Sequence, residues 1–194
     1  MSDINFLLQA AELNEIRRTG WEQRGITDPQ NVAGHTWGVS LLSMLYADEA
    51  DVDKTHAMKL AIIHDLPEVV AGDIAAGAGR SVDREEQFKK EKEALISLVD
   101  INGDEQISDL WEEYEDQETE EAVFVGDMDL IEMCIHALKY EREQRYDPSK
   151  IPSDHEALDE FFATAEGKIT TPIGKSLYKS LREQYEEEKR KNNT

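Results

Sequence analysis

The sequence predicts an all-α fold, and three observations carry that expectation. Apolar residues recur at helical spacing through most of the chain. The Val/Ile/Thr alternation that marks half-buried strands is scarce. Only 5 prolines and 11 glycines interrupt 194 residues, which leaves room for long helices. At this length one compact domain, residues 1–194, is expected, with ample chain for a core.

Taken in order, Asp3 to Arg18 predicts a first helix with Ile4, Phe6, Leu7, Leu8, Ala11, Leu13 and Ile16 as its stripe, ended by Gly20. Trp21 to Gly25 reads as a short loop, and Asp28-Pro29 as a turn. A second helix is expected from about Val32 to Ala47. Asp53 opens a third, which Pro67 ends or bends. Val69 to Gly79 reads as a loop of small residues. Ser81 to Val99 predicts a charged amphipathic helix with acids in its first turn. Ser108 to Tyr114 is a short helix, and Thr119 to Arg145 a long one. Ile151 to Gly167 and Ile173 to Lys191 complete the expected set. The core unit is thus expected at about residues 5–145, with C-terminal helices at about 151–191.

The net charge of −22 excludes some partners. Such a surface repels nucleic-acid phosphates, so a polymeric nucleic-acid partner is not expected. A small phosphate ester is compatible if a metal and a few arginines cancel charge locally. Cys134 is the only cysteine, so an intrachain disulfide is impossible. No signal peptide or membrane-length apolar run is visible, and a cytoplasmic location without membrane partners is expected.

The chemistry gathers around Ala57 to Ala76. An apolar helix ends there in His64-Asp65, with Glu68 and Asp73 following. Carboxylates are rarely buried unless paired or bound to a metal. Imidazole nitrogen with carboxylate oxygen suits transition metals better than calcium. His35 opens the second helix, and Asp127 and Asp129 lie in the long late one. Those two aspartates are two residues apart and point roughly 200° from each other on a helix, so only one can face a shared site. Arg17, Arg18 and Arg24 cluster beside Trp21. On composition alone they read as helix-end cations or as a phosphate clamp.

The order His35, His64-Asp65, Asp129 on three separate helices resembles the HD-domain metal-dependent phosphohydrolases. The likeness extends toward the 5′-deoxynucleotidase branch through Arg18-Thr19-Gly20-Trp21, through His64-Asp65-Leu66-Pro67-Glu68 with Gly72-Asp73-Ile74, and through Asp129-Leu130-Ile131-Glu132-Met133. The resemblance implies an HD-domain helical bundle. It implies one divalent ion (Mn, Co, Fe, Ni, Zn or Mg) held by His35, His64, Asp65 and Asp129. It implies Glu68 as general acid/base and Arg18 as the catalytic phosphate-orienting residue. Substrate contacts are implied for Arg18, Trp21, His35, Asp73, Ile74, Ala75, Ala76 and Asp129. The substrate is expected to be a deoxynucleoside 5′-monophosphate and the assembly a homodimer. Alternatives are an HD hydrolase of another phosphate ester or of a triphosphate, and a non-catalytic nucleotide- or metal-binding regulator. Two positions depart from the relatives. Gly34 stands where an acid commonly precedes the first His, which leaves no carboxylate there to hold His35. Gly126 stands where the relatives often carry Lys.

Overall fold

The computed structural model describes residues 2–73, 84–102 and 105–192. Among them no strand forms beyond one isolated bridge between Arg17 and Asn31. The helices are α1 (Ser2–Ala11), α2 (Thr19–Gln23), α3 (Val32–Ala50), α4 (Lys54–Ile63), α5 (Glu68–Ala71), α6 (Arg84–Asn102), α7 (Glu105–Asp116), α8 (Glu120–Glu143), α9 (Asp159–Ala165) and α10 (Pro172–Asn192). The expected fold class is the observed one.

The long helices start where local chemistry starts them. Asn31 accepts from the Gly34 amide at α3, Asp53 from the His56 amide at α4, and Thr119 from the Ala122 amide at α8. Each such cap stabilises its helix by about 1 kcal/mol. α3 and α8 stop at Asp51 and Gln144, both in the left-handed conformation.

α8 is the central pillar. It packs against α3, α4, α7, α9 and α10, burying Phe124, Val125, Met128, Ile131, Cys134 and Ala137. Leu60 from α4, Trp111 from α7, Phe162 from α9 and Tyr185 from α10 fill the same interior. A smaller cluster of Leu13, Val32, Leu66 and Leu98 joins the N-terminal turns to α6.

Three expectations are corrected. The first helix does not run to Arg18. It ends at Ala11, and after a 3₁₀ turn at Glu12–Asn14 the chain extends. The Arg18 amide donates to the Gln30 carbonyl at 3.0 Å and the Val32 amide to the Ile16 carbonyl at 2.8 Å. That pairing outweighs local helical preference, and Gly20 and Trp21 lie inside α2 rather than in a stop and a loop. The third helix ends at Ile63, before Pro67, and His64 to Pro67 form a turn that leads into α5, so the expected loop from Val69 begins as helix, and its part from Ile74 to Gly79 lies outside the described residues. Between Ile151 and Gly167 only Asp159–Ala165 is helical. A 3₁₀ turn at Pro148–Lys150 precedes it, and Ala157 adopts φ 48°. Ile74, Ala75 and Ala76, implied as substrate contacts, lie outside the described residues. No helix among the described residues is long and apolar enough to cross a membrane.

Candidate active site

A cleft of about 870 Å³ opens over the ends of α3 and α4 and the side of α8. The helix ends deliver its polar side chains. His35 sits in the first turn of α3, His64 just past the end of α4, and Asp129 in the middle of α8. One ring nitrogen of each histidine is already committed. His64 Nδ1 donates to the Ala61 carbonyl at 2.8 Å, and His35 Nδ1 lies 2.6 Å from Glu132 Oε2. The Nε2 atoms are thereby turned inward, 3.4 Å apart, and Asp129 Oδ1 lies 2.9 Å from that of His35. His35, His64 and Asp129 place their ligand atoms within 4.8 Å of one another. Asp65 Oδ2 stands 3.3 Å from His64 Nε2 and 3.6 Å from His35 Nε2.

Two inward Nε2 atoms with fixed outer nitrogens, faced by carboxylate oxygens, are a donor set that fits a divalent transition metal. Electrostatics point the same way. Asp65, Glu68, Asp73, Asp129 and Glu132 crowd around Arg18 and two imidazoles. Burial and the Arg18 charge disfavour protonated His35, yet Glu132 and Asp129 outweigh them and push its pKa up to about 10. Burial resists ionisation of Asp65, but His64 and Arg18 hold it below the usual carboxylate range.

Arg18 is partly buried. Its Nη1 lies 3.1 Å from Asp65 Oδ2, 3.2 Å from Asp73 Oδ1 and 4.0 Å from Glu68 Oε1. Asp73 Oδ2 also accepts from the Thr19 amide at 2.6 Å, and the Thr19 hydroxyl donates to the Asp73 carbonyl at 2.8 Å. This clasp fixes the guanidinium at the cleft wall. Glu68 is buried, and its Oε2 has no hydrogen-bond partner. Burial, then the nearby Asp65 charge, push its carboxyl up to about 10. A buried carboxyl with an unsatisfied oxygen at the edge of a cleft is poised for a partner that arrives from outside.

The two candidate aspartates of α8 part as their spacing predicts. Asp129 joins the histidines. Asp127 turns away and accepts from the Thr170 amide at 3.0 Å, the Thr171 amide at 2.7 Å and the Thr171 hydroxyl at 2.5 Å, holding the start of α10. Trp21 lines the cleft but is only 3% exposed, its ring wedged between Tyr140 and Phe161 at centroid distances of 5.1 and 3.9 Å.

The carboxylate missing at Gly34 is supplied from elsewhere. Glu132 is 2% exposed and is a hub. Besides His35 it receives the Gln30 side-chain amide at 2.7 Å, and His136 Nδ1 lies 2.8 Å from its Oε1. Gly38 makes this possible, because a Cβ there would meet Glu132 Oε1 at 2.6 Å. Glu132 lies three positions after Asp129 and so shares its side of α8, yet nothing in the sequence assigns it a task. Gln30 and Tyr114, which also face the cleft, carry no sequence signal.

The protein 5′-deoxynucleotidase HDDC2 of Danio rerio is 36% identical over 184 residues, covering 93% of this chain and 86% of the relative. The protein of that name in Dictyostelium discoideum is 32% identical, covering 90% and 93%. A crystal structure of a Pyrococcus horikoshii protein, 26% identical, matches with a TM-score of 0.74 over 94% of this chain and 98% of that one. The HD domain model matches residues 10–165, and on that match, across most of its length, the chain belongs to the HD domain family.

Proposed function

We propose that this protein is a metal-dependent phosphomonoesterase that hydrolyses deoxynucleoside 5′-monophosphates to deoxynucleosides and phosphate. One observation carries the reading: two inward imidazole nitrogens, an aspartate oxygen, a braced arginine and a buried carboxyl with a free oxygen converge in one cleft. The similarity to the 5′-deoxynucleotidases of Danio rerio and Dictyostelium discoideum supports the choice of substrate class.

His35, His64, Asp65 and Asp129 would hold the divalent ion, which when bound would polarise the phosphoryl group and lower the pKa of a water beside it. Arg18 carries the compensating charge for a phosphate dianion in a cleft otherwise crowded with carboxylates. Its bonds to Asp65 and Asp73 pre-set the guanidinium, so little side-chain entropy is lost on binding. Glu68, kept in its acid form by burial, can hand its proton to the 5′-oxygen as the P–O bond breaks. The attacking water returns a proton to it, so the carboxyl ends each cycle as it began. Asp73, with its lone pairs only partly used, can accept from a sugar 3′-hydroxyl, the role that the resemblance gives it. Glu132 keeps the His35 ring in the tautomer whose Nε2 is free.

A homodimer completes the proposal. Val32 to Ala47 contains no Asp, Glu, Lys or Arg in a chain that is 33% charged, and its outward face shows Trp37 at 68% exposure, Met44 at 40% and Leu45 at 53%. A copy of so acidic a chain meets less carboxylate repulsion here than over the rest of its surface. Light scattering should give twice the chain mass, and Trp37→Glu should halve it.

The central test is phosphate release from a panel of deoxyribo- and ribonucleoside mono- and triphosphates with several divalent metals. Release of orthophosphate from deoxynucleoside monophosphates, lost on chelation, is expected. Triphosphate release from nucleoside triphosphates alone would replace this reading with a triphosphohydrolase. Binding without turnover in every metal would replace it with a regulator.

A further inference from the structure

Tyr114 lies near the C-terminal end of α7, lines the cleft and directs its hydroxyl at Asp129, with 3.3 Å between Oη and Oδ2. Its ring stands edge-on to His64, centroids 5.3 Å apart and planes at 62°. A phenol facing a carboxylate has one sensible arrangement: the O–H donates and the carboxylate accepts. The two oxygens of Asp129 are therefore divided. Oδ1 lies 2.9 Å from His35 Nε2, on the side of the imidazoles, and Oδ2 belongs to Tyr114.

We infer that Tyr114 is a positioning residue that makes Asp129 a one-oxygen metal ligand, by occupying Oδ2 while its ring braces His64. The inference rests on the metal reading above and adds to it. A carboxylate with both oxygens free can bind a cation through one oxygen or two. Two would take up a coordination position that the proposed reaction needs for water or a phosphate oxygen. Tyr114 withholds that second oxygen.

Its placement is built rather than incidental. Three residues earlier Trp111 is fully buried and stacks on Phe88 at 5.3 Å, which fixes the rotation of α7. Three residues later Gln117 turns the chain at φ 52°, and its amide donates to the Tyr114 carbonyl at 2.6 Å and the Ala122 carbonyl at 3.0 Å. The end of the helix that bears Tyr114 is thus tied to the first turn of the helix that bears Asp129. Gly126 leaves the room for this tie, since a Cβ there would sit 2.6 Å from Gln117 Oε1.

The test uses full-length protein stripped of metal and titrated with Co²⁺, whose visible absorption reports coordination number independently of turnover. Tyr114→Phe keeps the ring against His64 and removes only the hydroxyl. It should weaken Co²⁺ binding by about 10-fold or more, as losing a partner that orients a ligand does. It should also shift the visible spectrum toward higher coordination. Gly126→Ala, which displaces Gln117, should move the spectrum the same way and serves if the Phe variant fails to fold. A bound-Co²⁺ spectrum unchanged from the parent's overturns the inference whatever the affinity, because Asp129 would then bind alike without the hydroxyl. A parent that takes up no Co²⁺ overturns the metal reading and this inference with it.

Discussion

Gly38→Ala tests how the site is held rather than what it contains. Ordinary contact begins near 3.4 Å, and the new methyl would sit 2.6 Å from Glu132 Oε1, 2.7 Å from Cγ and 3.0 Å from Cδ. Glu132 must therefore shift by roughly 0.8 Å at its nearest atom, and because Cγ is crowded too, a rotation of the carboxylate alone does not relieve the overlap. The side chain is 2% exposed, so it moves only by disturbing its bonds to His35 and Gln30 and its close contact with His136. Loss of the partner on His35 Nδ1 should weaken metal binding about 10- to 100-fold, or roughly 1.4–2.7 kcal/mol. Stability gives a different figure. Alanine in place of glycine inside a helix gains about 1 kcal/mol, while overpacking costs about 1–3 kcal/mol. Packing alone should thus cost the metal-stripped variant up to about 2 kcal/mol. Calorimetric metal titration and thermal melting of stripped protein separate the two effects. A variant that binds metal as tightly as the parent would refute the claim that Gly38 exists to seat Glu132.

Other predictions follow from the same geometry. Glu68→Gln should retain metal and fold but lose turnover by about 10²-fold or more; a loss of metal content would make Glu68 a ligand instead. Asp129→Asn should lose metal. Asp127→Asn should keep it while losing about 1–3 kcal/mol of stability, because an amide cannot accept all of the bonds from Thr170 and Thr171; the reverse pattern would exchange their roles. Arg18→Ala should raise KM for the monophosphate without removing metal, and equal kinetics would return Arg18 to a purely structural ion pair. Stability of metal-stripped protein should peak in mildly acid solution. Asp65, Asp129 and Glu132 are held below ordinary values of 3.8–4.5, so their contribution is complete above that range and is lost as pH falls. His35 is raised from 6.5 to about 10, so its contribution is complete below 6.5 and is lost as pH climbs through 10. A melting temperature that rises steadily from pH 5 to pH 9 would contradict this.

The legible part of the molecule is the part governed by local order. The all-α class follows from helical spacing, and the parting of Asp127 from Asp129 from the angle between residues two apart on a helix, while Asp129 as the one that joins the histidines came with the resemblance. The cluster of His35, His64 and Asp129 was legible through the resemblance rather than through burial or spacing alone. What stayed hidden depends on partners distant in sequence. Glu132 meets His35 across 97 positions and Gln30 across 102, so no window of neighbouring residues shows that it replaces the acid missing at Gly34. The break after Ala11 is likewise set by pairing of Ile16 and Arg18 with Val32 and Gln30, while the residues from Asp3 to Arg18 taken alone still spell a continuous amphipathic helix. Trp21 is implied as a substrate contact by the resemblance, and only the packing of Tyr140 and Phe161 around it shows that it is a buried wall of the cleft.

The clasp of Asp127 on Thr170 and Thr171 bears on where the molecule can be divided. The family model ends at residue 165, five positions before the first donor to that carboxylate. A chain shortened to Ala165 would keep every candidate metal ligand, yet it would strip the donors from an aspartate that is 3% exposed and two residues from Asp129. Losing α10 would also uncover the side of α8 against which it packs and take fully buried Tyr185 out of the core, a loss of apolar burial that weighs heavily on a domain this small. α10 is therefore no detachable tail. Evolution or an experimenter can lengthen or recolour its outer face, but its first turn is inherited together with the helix that carries the chemistry.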